Sequence, residues 1–168
     1  LLAIVEAKEA TAEQARIDLC NSGIMAIDGK RLAALINRID NTNAKEEFYL
    51  TDIVEIARQD GGQCVWVEGD ADELLGVDTR HDLAEAERLM QKRLRAEAMT
   101  NGATLTDPDS TFFCFDTVIG QDVVIGPNVV FGPGTTVADK VEIKAFCHIE
   151  GADIAEGAVI GPYARLRP

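Results

Sequence analysis

Long apolar runs are missing from this 168-residue sequence, and no segment approaches the length that spans a membrane. Basic residues are also few, because 16 Lys and Arg stand against 29 Asp and Glu, giving a net charge of −13. Nucleic acid and anionic membranes both repel such a negative protein. We therefore predict a protein that neither binds nucleic acid nor inserts into a membrane.

Closely spaced cysteines, of the kind that bind zinc or form disulfide frameworks, are absent as well. The four cysteines are far apart and show no CxxC spacing: Cys20, Cys64, Cys114 and Cys147. This usage is typical of reduced thiols, so we predict a cytoplasmic protein. Cys147 also falls on an apolar position of the repeat described next, where a thiol acts as a small hydrophobic group.

A six-residue repeat dominates the C-terminal part of the sequence. Apolar residues recur at every sixth position from Ile119 to Ile149, shift by one residue at Ile154, and resume at Ile160 and Leu166. A strand repeats every two residues and a helix every 3.6, so neither explains this period. A parallel β-helix explains it, because each flat side of a coil takes six residues and turns the repeated aliphatic side chain inward.

The segment 1–79 alternates strand-like and helix-like stretches, which is typical of an α/β fold. Strands are predicted at 2–6 and 64–67, and a helix at 30–40. Thr51 with Asp52 predicts the cap of a further helix.

The segment 80–102 predicts one long helix. It carries an apolar stripe at helical spacing, formed by Leu83, Ala86, Met90, Leu94 and Ala98. Either Asp78 or Thr79 can cap its start, and Asn101-Gly102 ends it. The repeat then occupies 103–168, stopping in mid-rhythm without a capping element, so we expect the chain to be part of a longer protein.

The order of several motifs resembles one known family. The sequences "IVEAKEAT", "NSGIMAI", "NAKEEFYLTD" and "GVDTR" precede the long helix, and the repeat ends on "IGPYARLRP". Together they resemble the bacterial bifunctional N-acetylglucosamine-1-phosphate uridyltransferase/glucosamine-1-phosphate N-acetyltransferase family, from about Ile4 to Pro168. The resemblance implies the C-terminal part of a Rossmann-like nucleotidyltransferase domain (1–79), a linker helix (80–102) and the first coils of a left-handed parallel β-helix (103–168), as an internal part of a longer enzyme.

This resemblance also implies two reactions of UDP-N-acetylglucosamine biosynthesis. One is N-acetylation of glucosamine-1-phosphate by acetyl-CoA, and the other is uridylyl transfer from UTP to N-acetylglucosamine-1-phosphate with Mg²⁺. The family is homotrimeric, with acetyltransferase sites between neighbouring solenoids. The glycine-rich phosphate loop and the acetyl-transfer base of the family have no counterpart here. The resemblance therefore places no catalytic residue within these 168 residues, and it implies that they are inactive alone.

Four residues of the first segment correspond to substrate-binding positions of the family. Glu6 ends a predicted strand, where its carboxylate can accept hydrogen bonds from sugar hydroxyls, although a solvated strand-end glutamate is the structural alternative. Asn21 offers an amide donor and acceptor, and could instead be a turn residue before Gly23. Tyr49 is a candidate that could equally be a core residue. Thr51 starts a predicted helix whose amides favour phosphate.

Asp78 corresponds to the metal-binding position of the family. The family usually has asparagine here, sharing Mg²⁺ with an aspartate from an earlier segment. Aspartate is a hard oxygen ligand suited to Mg²⁺, but it adds a negative charge beside nucleotide phosphates. The structural alternative is a plain helix cap.

Arg167 corresponds to the arginine that binds the phosphate of glucosamine-1-phosphate, a role that suits a guanidinium because it forms paired hydrogen bonds. A surface arginine flanking the inward Leu166 is the alternative. We interpret His148 as structural, since the acetyl-transfer base of the family lies beyond the end of this sequence.

Two other functions remain open at this point. Another sugar-1-phosphate nucleotidyltransferase with a β-helix tail is one, although the "ARLRP" ending belongs to the acetyltransferase part of the resemblance. A non-catalytic scaffold that trimerises through its solenoid is the other, and a complete terminal cap would favour it.

Overall fold

The structure is a computed structural model that describes residues 1–168 in two compact units, Leu1–Gly76 and Val77–Pro168. The helices are α1 (Gly29–Ile36), α2 (Ile53–Gln59) and α3 (Arg80–Thr100). The strands are β1 (Thr104–Leu105), β2 (Val118–Ile119), β3 (Val124–Ile125), β4 (Val130–Phe131), β5 (Thr136–Val137), β6 (Glu142–Ile143), β7 (His148–Ile149), β8 (Asp153–Ile154), β9 (Val159–Ile160) and β10 (Arg165–Leu166). None of the helices combines the length and the apolar composition needed to cross a bilayer.

The second unit is a β-solenoid with three flat faces, each a parallel sheet. Face 1 contains β1, β3, β6 and β9; face 2 contains β4, β7 and β10; and face 3 contains β2, β5 and β8. Along the chain the strands visit faces 3, 1 and 2 in turn, so three consecutive strands form one coil. This architecture confirms the parallel solenoid predicted from the six-residue repeat.

The repeated aliphatic side chains form the core of the solenoid. They are buried together with the small residues two positions earlier, and Ile125, Val129 and Ile149 are fully inaccessible to solvent. Inside the coils the rings of Phe113 and Phe131 stack with centroids 5.1 Å apart. Cys147 is buried in this core, as its position in the repeat predicts.

The one-residue shift in the repeat shortens a coil without breaking the core. Val124 pairs with Glu142, 18 residues later, whereas Glu142 pairs with Val159, 17 residues later. Ile154, where the shift occurs, still points inward and is 6% exposed. A turn has therefore lost one residue while the strand register, and with it the inward face, is kept.

Side chains in the turns add hydrogen bonds between successive coils. Asp116 accepts a hydrogen bond from the amide of Gly134 at 2.9 Å, and Asp139 accepts one from the amide of Gln121 at 2.8 Å. Because these amides lie outside the strand ladders, side-chain acceptors satisfy donors that the turns would otherwise leave to water.

Helix α3 is attached to the beginning of the solenoid by a buried glutamine. Gln91 is 5% exposed, donates from Nε2 to the carbonyl of Phe113 at 2.7 Å, and accepts at Oε1 from the Phe113 amide at 2.9 Å. Arg95 adds a hydrogen bond to the carbonyl of Thr111 at 3.3 Å. The glutamine thus pairs with the backbone of the first coil as a neighbouring strand would.

Only part of the apolar stripe predicted for this helix packs against the solenoid. Leu94 and Ala98 pack against the solenoid core, but Leu83 is 59% exposed and Met90 is 43% exposed. The contact lies toward the C-terminal half of α3, and the polar Gln91 occupies the buried position at its centre.

The ends of α3 follow the sequence signals. Thr79 is the N-cap and forms a reciprocal capping box with Asp82. Asn101 is the C-cap and is followed by Gly102 at φ 103°. The helix therefore occupies the segment where the sequence predicts one, and of the two candidate caps Thr79 is the one used.

The first unit has a much smaller core, in which Leu35 of α1 and Ile53 and Val54 of α2 are buried. Asp28 caps α1 by accepting a hydrogen bond from the amide of Lys30. At the start of α2 no side chain provides a cap; the chain enters through the 3-10 helix Leu50–Asp52. Thr51 is thus not a side-chain cap in this structure, contrary to the sequence prediction.

Neither strand predicted in this unit forms. Segments 2–6 and 64–67 lack strand pairing, and they are joined by one hydrogen bond, from the Leu1 terminal ammonium to the carbonyl of Cys64 at 3.1 Å. Val65 is 80% exposed and Val67 is 90% exposed. The reason is physical: β-propensity becomes a strand only when a neighbouring chain segment completes the hydrogen-bonded ladder.

Candidate functional site

Tyr49 lies at the centre of a charged cluster in the first unit. It directly precedes the 3-10 helix Leu50–Asp52, and the Lys45 ammonium lies 5.7 Å from its ring centroid. Partial burial raises the pKa of Tyr49, and the carboxylates of Glu9, Glu47 and Glu6 act in the same direction against Lys45. A ring half-buried among charges differs from an ordinary core aromatic, which was the alternative.

Glu6 belongs to the same cluster. Burial raises the pKa of Asp52, and nearby carboxylates, Glu6 among them, raise it further. The carbonyl of Glu6 accepts a hydrogen bond from the amide of Glu9 at 2.9 Å, which closes a turn. Glu6 therefore acts electrostatically on both Tyr49 and Asp52, and Thr51 lies beside Asp52 in the 3-10 helix Leu50–Asp52.

Asn43 organises the loop that leads to Tyr49. Its Oδ1 accepts hydrogen bonds from the amides of Lys45 and Glu47, at 3.1 and 3.2 Å, while its Nδ2 donates to the carbonyl of Glu47. The amide of Ala44 donates to Glu9 Oε1 at 3.1 Å, which ties the loop to the turn after Glu6. Glu47 is thus held by its backbone amide and carbonyl.

Sequence reasoning does not single out Lys45 or Glu9, although both contact this cluster. Lys45 precedes Tyr49 by four residues, a spacing that carries no signal in a loop. Glu9 follows Glu6 by three residues, and only the turn between them brings its carboxylate to Ala44.

Asn21 is not drawn into this cluster by any hydrogen bond. Its side chain is exposed and precedes Gly23, which has φ 81°. The amide is therefore free to meet a ligand, but its surroundings also fit the turn residue that was the alternative.

Asp78 in the second unit presents a free carboxylate. It is exposed, and its backbone amide donates to Asp82 Oδ2 at 3.3 Å, while the capping side chain is that of Thr79. The helix-cap role is thus filled by the neighbouring residue. No group of three or more His, Cys, Asp or Glu side chains in the chain is arranged to hold a metal by itself.

Arg167 directly follows β10, a strand of face 2 of the solenoid. It is exposed, whereas Leu166 before it is partly buried against the core. The guanidinium makes neither a hydrogen bond nor an ion pair within the chain. It is thus available to an anion from outside.

A separate cavity of about 120 Å³ lies where α3 meets the first coil, lined by Leu94, Ala98, Phe113 and Thr117 among others. The buried hydroxyl of Thr117 has no hydrogen-bond partner. None of the substrate or metal positions implied by the resemblance lines this cavity, so it is separate from the candidate sites.

Comparison with known families identifies the repeat. Residues 116–151 match the family described as bacterial transferase hexapeptide, six repeats. These residues run from the turn before β2 to the turn after β7, which is the region where the coils are regular.

Comparison with curated proteins covers both units. The bifunctional protein GlmU of Paramagnetospirillum magneticum is 60% identical over all 168 residues, and that of Xanthobacter autotrophicus is 54% identical over the same length. The bifunctional protein GlmU of Rhodospirillum rubrum is 61% identical over 158 residues, or 94% of the chain. The resemblance drawn from the motifs is confirmed.

The match to GlmU covers all or nearly all of this chain but only part of each relative. The chain spans 37% of the length of the P. magneticum protein and 35% of the R. rubrum protein. Similarity continues without interruption from the first unit through α3 into the solenoid, so the two units are joined here in the order in which these relatives join them.

Proposed function

We propose that this chain is part of a bifunctional enzyme of UDP-N-acetylglucosamine synthesis. One reaction is acetyl transfer from acetyl-CoA to the amine of glucosamine-1-phosphate. The other is attack of N-acetylglucosamine-1-phosphate on the α-phosphate of UTP, releasing pyrophosphate. The observation that carries this proposal is the high identity to GlmU proteins across both units, combined with a hexapeptide solenoid in the second.

In the first unit we propose that Glu6, Asn21, Tyr49 and Thr51 bind the sugar nucleotide, by correspondence with the family. A carboxylate accepts hydrogen bonds from sugar hydroxyls, and an amide suits an acetamido group. The cluster of Glu6 and Tyr49 beside the 3-10 helix at Thr51 supports a common site. In the Rossmann-like fold that we propose for this unit, neighbouring segments would pair with 2–6 and 64–67.

Asp78 fits Mg²⁺ as one ligand among several. Mg²⁺ is usually held by one or two carboxylates together with substrate phosphates and water, so a single free carboxylate is sufficient from this segment. Bound Mg²⁺ would neutralise negative charge on the transferred phosphoryl group. Asp78 itself would contribute an oxygen ligand and a charge that asparagine lacks.

In the second unit we propose that Arg167 binds the phosphate of glucosamine-1-phosphate and that the solenoid, left-handed by resemblance, forms a homotrimer. The 168 residues by themselves would catalyse neither reaction. We propose a cytoplasmic location, because widely spaced, unpaired thiols are typical of a reducing compartment.

The proposal can be tested with a chimera in which residues 1–168 replace the aligned segment of P. magneticum GlmU. Pyrophosphate release would be followed with N-acetylglucosamine-1-phosphate and Mg²⁺, offering UTP, dTTP and ATP separately. Thiol release from acetyl-CoA with glucosamine-1-phosphate would report the second reaction. We expect release with UTP alone and acetyl transfer in the same protein.

Two variants, the first with a matched control, sharpen this test. Glu6→Gln should raise the KM for N-acetylglucosamine-1-phosphate and leave acetyl transfer unchanged, whereas the exposed Glu13→Gln should change neither. Arg167→Ala should impair acetyl transfer alone. Activity with another nucleotide would favour the rival nucleotidyltransferase, and the absence of both activities would favour the scaffold.

A further inference from the structure

The cavity between α3 and the first coil is large enough for a small organic molecule. Its volume is about 120 Å³, and its apolar walls come from Leu94 and Ala98 of the helix and from Phe113 and Ile119 of the coil. An engineered apolar cavity of about 150 Å³ in another protein takes up benzene. The volume here therefore suits a ligand of about six non-hydrogen atoms or fewer.

One polar group in the cavity has no partner within the chain. Thr117 lines the cavity, and its buried Oγ1 forms no hydrogen bond. Thr135 occupies the same position in the next coil, and its hydroxyl donates to the carbonyls of Gly132 at 3.1 Å and Ile149 at 3.2 Å. Because an unpaired buried hydroxyl is costly, a ligand that hydrogen-bonds Thr117 would recover a bond that the chain does not supply.

The charges around the cavity favour a cation. Glu97 and Asn101 line it from the C-terminal end of α3, where the helix dipole is negative. The last turn of α3 contains no basic residue, and no Lys, Arg or His side chain lines the cavity. On the coil side the thiol of Cys114 hydrogen-bonds the carboxylate of Asp116. The chain thus provides negative charge here without a cation of its own.

Aromatic rings also line the cavity. Phe113 is buried, whereas Phe115 is 78% exposed, so a ligand entering from solvent can reach its ring. The face of an aromatic ring attracts an ammonium group that lies within about 6 Å of its centroid. These rings therefore add to the preference for a positively charged ligand.

From these observations we infer that the cavity binds a small organic cation, a protonated amine with a short apolar chain. The apolar chain lies against Leu94 and Ala98. The ammonium group donates to Thr117 Oγ1 and to the carboxylate of Glu97, beside the ring of Phe115. This site goes beyond the proposed function, because none of the substrate or metal positions of that function lines the cavity.

A titration with three probes of similar size tests the preference for positive charge. n-Butylammonium, 1-butanol and butyrate would be added separately to the 168-residue chain at constant ionic strength, and NMR would follow the amide shifts of the lining residues. We expect saturable binding of n-butylammonium, binding of 1-butanol weaker by about fivefold, and no binding of butyrate. Equal binding of n-butylammonium and 1-butanol, or no saturable shift with the amine, would overturn the inference.

Two substitutions locate the ammonium group. Glu97→Gln should weaken the binding of n-butylammonium by about fivefold and leave that of 1-butanol unchanged, because only the charge is removed. Thr117→Val should weaken amine binding by about tenfold, since it removes the hydroxyl and keeps the shape of the side chain. Glu13→Gln in the first unit is the control and should change neither. Wild-type affinity in either cavity variant would contradict the proposed contacts.

The stability of the empty protein gives a test without any ligand. Thr135→Val should lower the melting temperature, because the hydroxyl of Thr135 is paired. Thr117→Val should instead leave the melting temperature unchanged or raise it, because its hydroxyl is buried without a partner. Equal losses in the two variants would show that Thr117 is already paired and not available to a ligand.

Cys114 provides an independent measure of occupancy. Its thiol lines the cavity, so saturating n-butylammonium should slow its reaction with methyl methanethiosulfonate, followed by peptide mass spectrometry. The exposed Cys20 of the first unit is the internal control, and its rate should stay the same. Equal rates at Cys114 with and without the amine would place the bound amine outside the cavity and reject the site.

Discussion

The solenoid buries the repeated apolar side chain at six successive positions from Ile125 to Ile154, whereas the first unit buries only Leu35, Ile53 and Val54 among its apolar side chains. Both regions are rich in aliphatic residues, so composition does not explain the contrast. Each solenoid coil pairs with the coil before it, and the distance in sequence between partners is only 17 to 20 residues. The first unit has strand-like segments with no neighbouring strand to complete them.

This contrast shows how the two kinds of fold depend on chain context. A solenoid is stabilised coil by coil through nearest neighbours, so a few coils already enclose a core. An open sheet is stable only when several strands pair, and until then its apolar residues stay in water. Trp66, which is 53% exposed, and Val67, which is 90% exposed, lie in segment 64–67, which forms no strand.

The largest effect should come from shortening a buried isoleucine of the solenoid. Ile143→Ala should reduce the free energy of unfolding by about 3–5 kcal/mol, because Ile143 is packed between the coils before and after it. Ile53→Ala in the first unit deletes the same atoms but should cost nearer to about 2 kcal/mol, since its smaller core can collapse around the gap.

Chemical denaturation monitored by circular dichroism would measure both variants. Val124→Ala, on the outward side of the same sheet as Ile143, serves as the control and should have little effect. Equal losses for Ile143→Ala and Ile53→Ala would contradict the difference between the units.

The next effect concerns the attachment of α3 to the solenoid. Gln91→Leu should destabilise the second unit by about 2–3 kcal/mol, because the amide and carbonyl of Phe113 both lose their partner in a buried site. Gln59→Leu, in which the lost bond is a 3.5 Å contact to exposed Glu55, is the matched control.

Hydrogen exchange at the amide of Phe113 would report this loss directly. Faster exchange in Gln91→Leu, with unchanged exchange in the later coils, is the expected pattern. Unchanged protection at Phe113 would show that the glutamine is not what joins the helix to the coil.

Substituting two glycines of the solenoid distinguishes destabilisation by steric overlap from destabilisation by backbone strain. Gly161 has φ 83°, and a methyl group there would overlap Cys147 Sγ, whereas Gly157 has φ 72° with nothing close to the added methyl. Gly161→Ala should cost about 2 kcal/mol and Gly157→Ala about 1 kcal/mol, because only the first adds a clash to the left-handed backbone.

Thermal unfolding would compare the two glycine variants. Combining Gly161→Ala with Cys147→Ala should remove the clash and cost less than the two single substitutions together. Strict additivity would mean that the sulfur atom does not limit the space at this turn.

Much of the solenoid follows from sequence because its signal is local and repeated. Every inward position from Val123 to Ile149 lies where the repeat puts it, and even the shift at Ile154 is kept. The bounds of helix α3 could also be predicted, from the capping residues at its two ends. The role of Gln91 does not, because a polar residue beside an apolar stripe gives no indication that a strand end lies opposite.

The candidate sites could be predicted less completely. Glu6 and Tyr49 do influence each other electrostatically, but the contacts of Lys45 and Glu9 depend on a turn and a loop that bring separate segments into contact. The prediction of strands at 2–6 and 64–67 was wrong for a related reason. Their β-propensity is a local property of the sequence, whereas a strand also needs hydrogen-bond partners from a distant segment.

The smallest expected loss of stability comes from removing the N-cap side chain of α1 or of α3. Thr79→Ala should destabilise the second unit by about 1 kcal/mol, because Thr79 accepts from the amide of Asp82. Asp28→Ala in the first unit removes an equivalent bond to the amide of Lys30. Thr100→Ala, whose hydroxyl only bonds back to the carbonyl of Ala96 at the other end of α3, should change little.

The pH dependence of stability tests whether Thr79 and Asp82 form the capping box. Hydrogen bonds from the hydroxyl and amide of Thr79 lower the pKa of Asp82 below its ordinary value of 3.8. A lowered folded-state pKa stabilises the fold above the unfolded-state value, and this contribution disappears as the pH falls through the folded-state value. The stability difference between wild type and Thr79→Ala should therefore be constant near neutral pH and shrink below pH 3.8. Unfolding measured across that range would contradict the capping box if the difference stayed the same in acid.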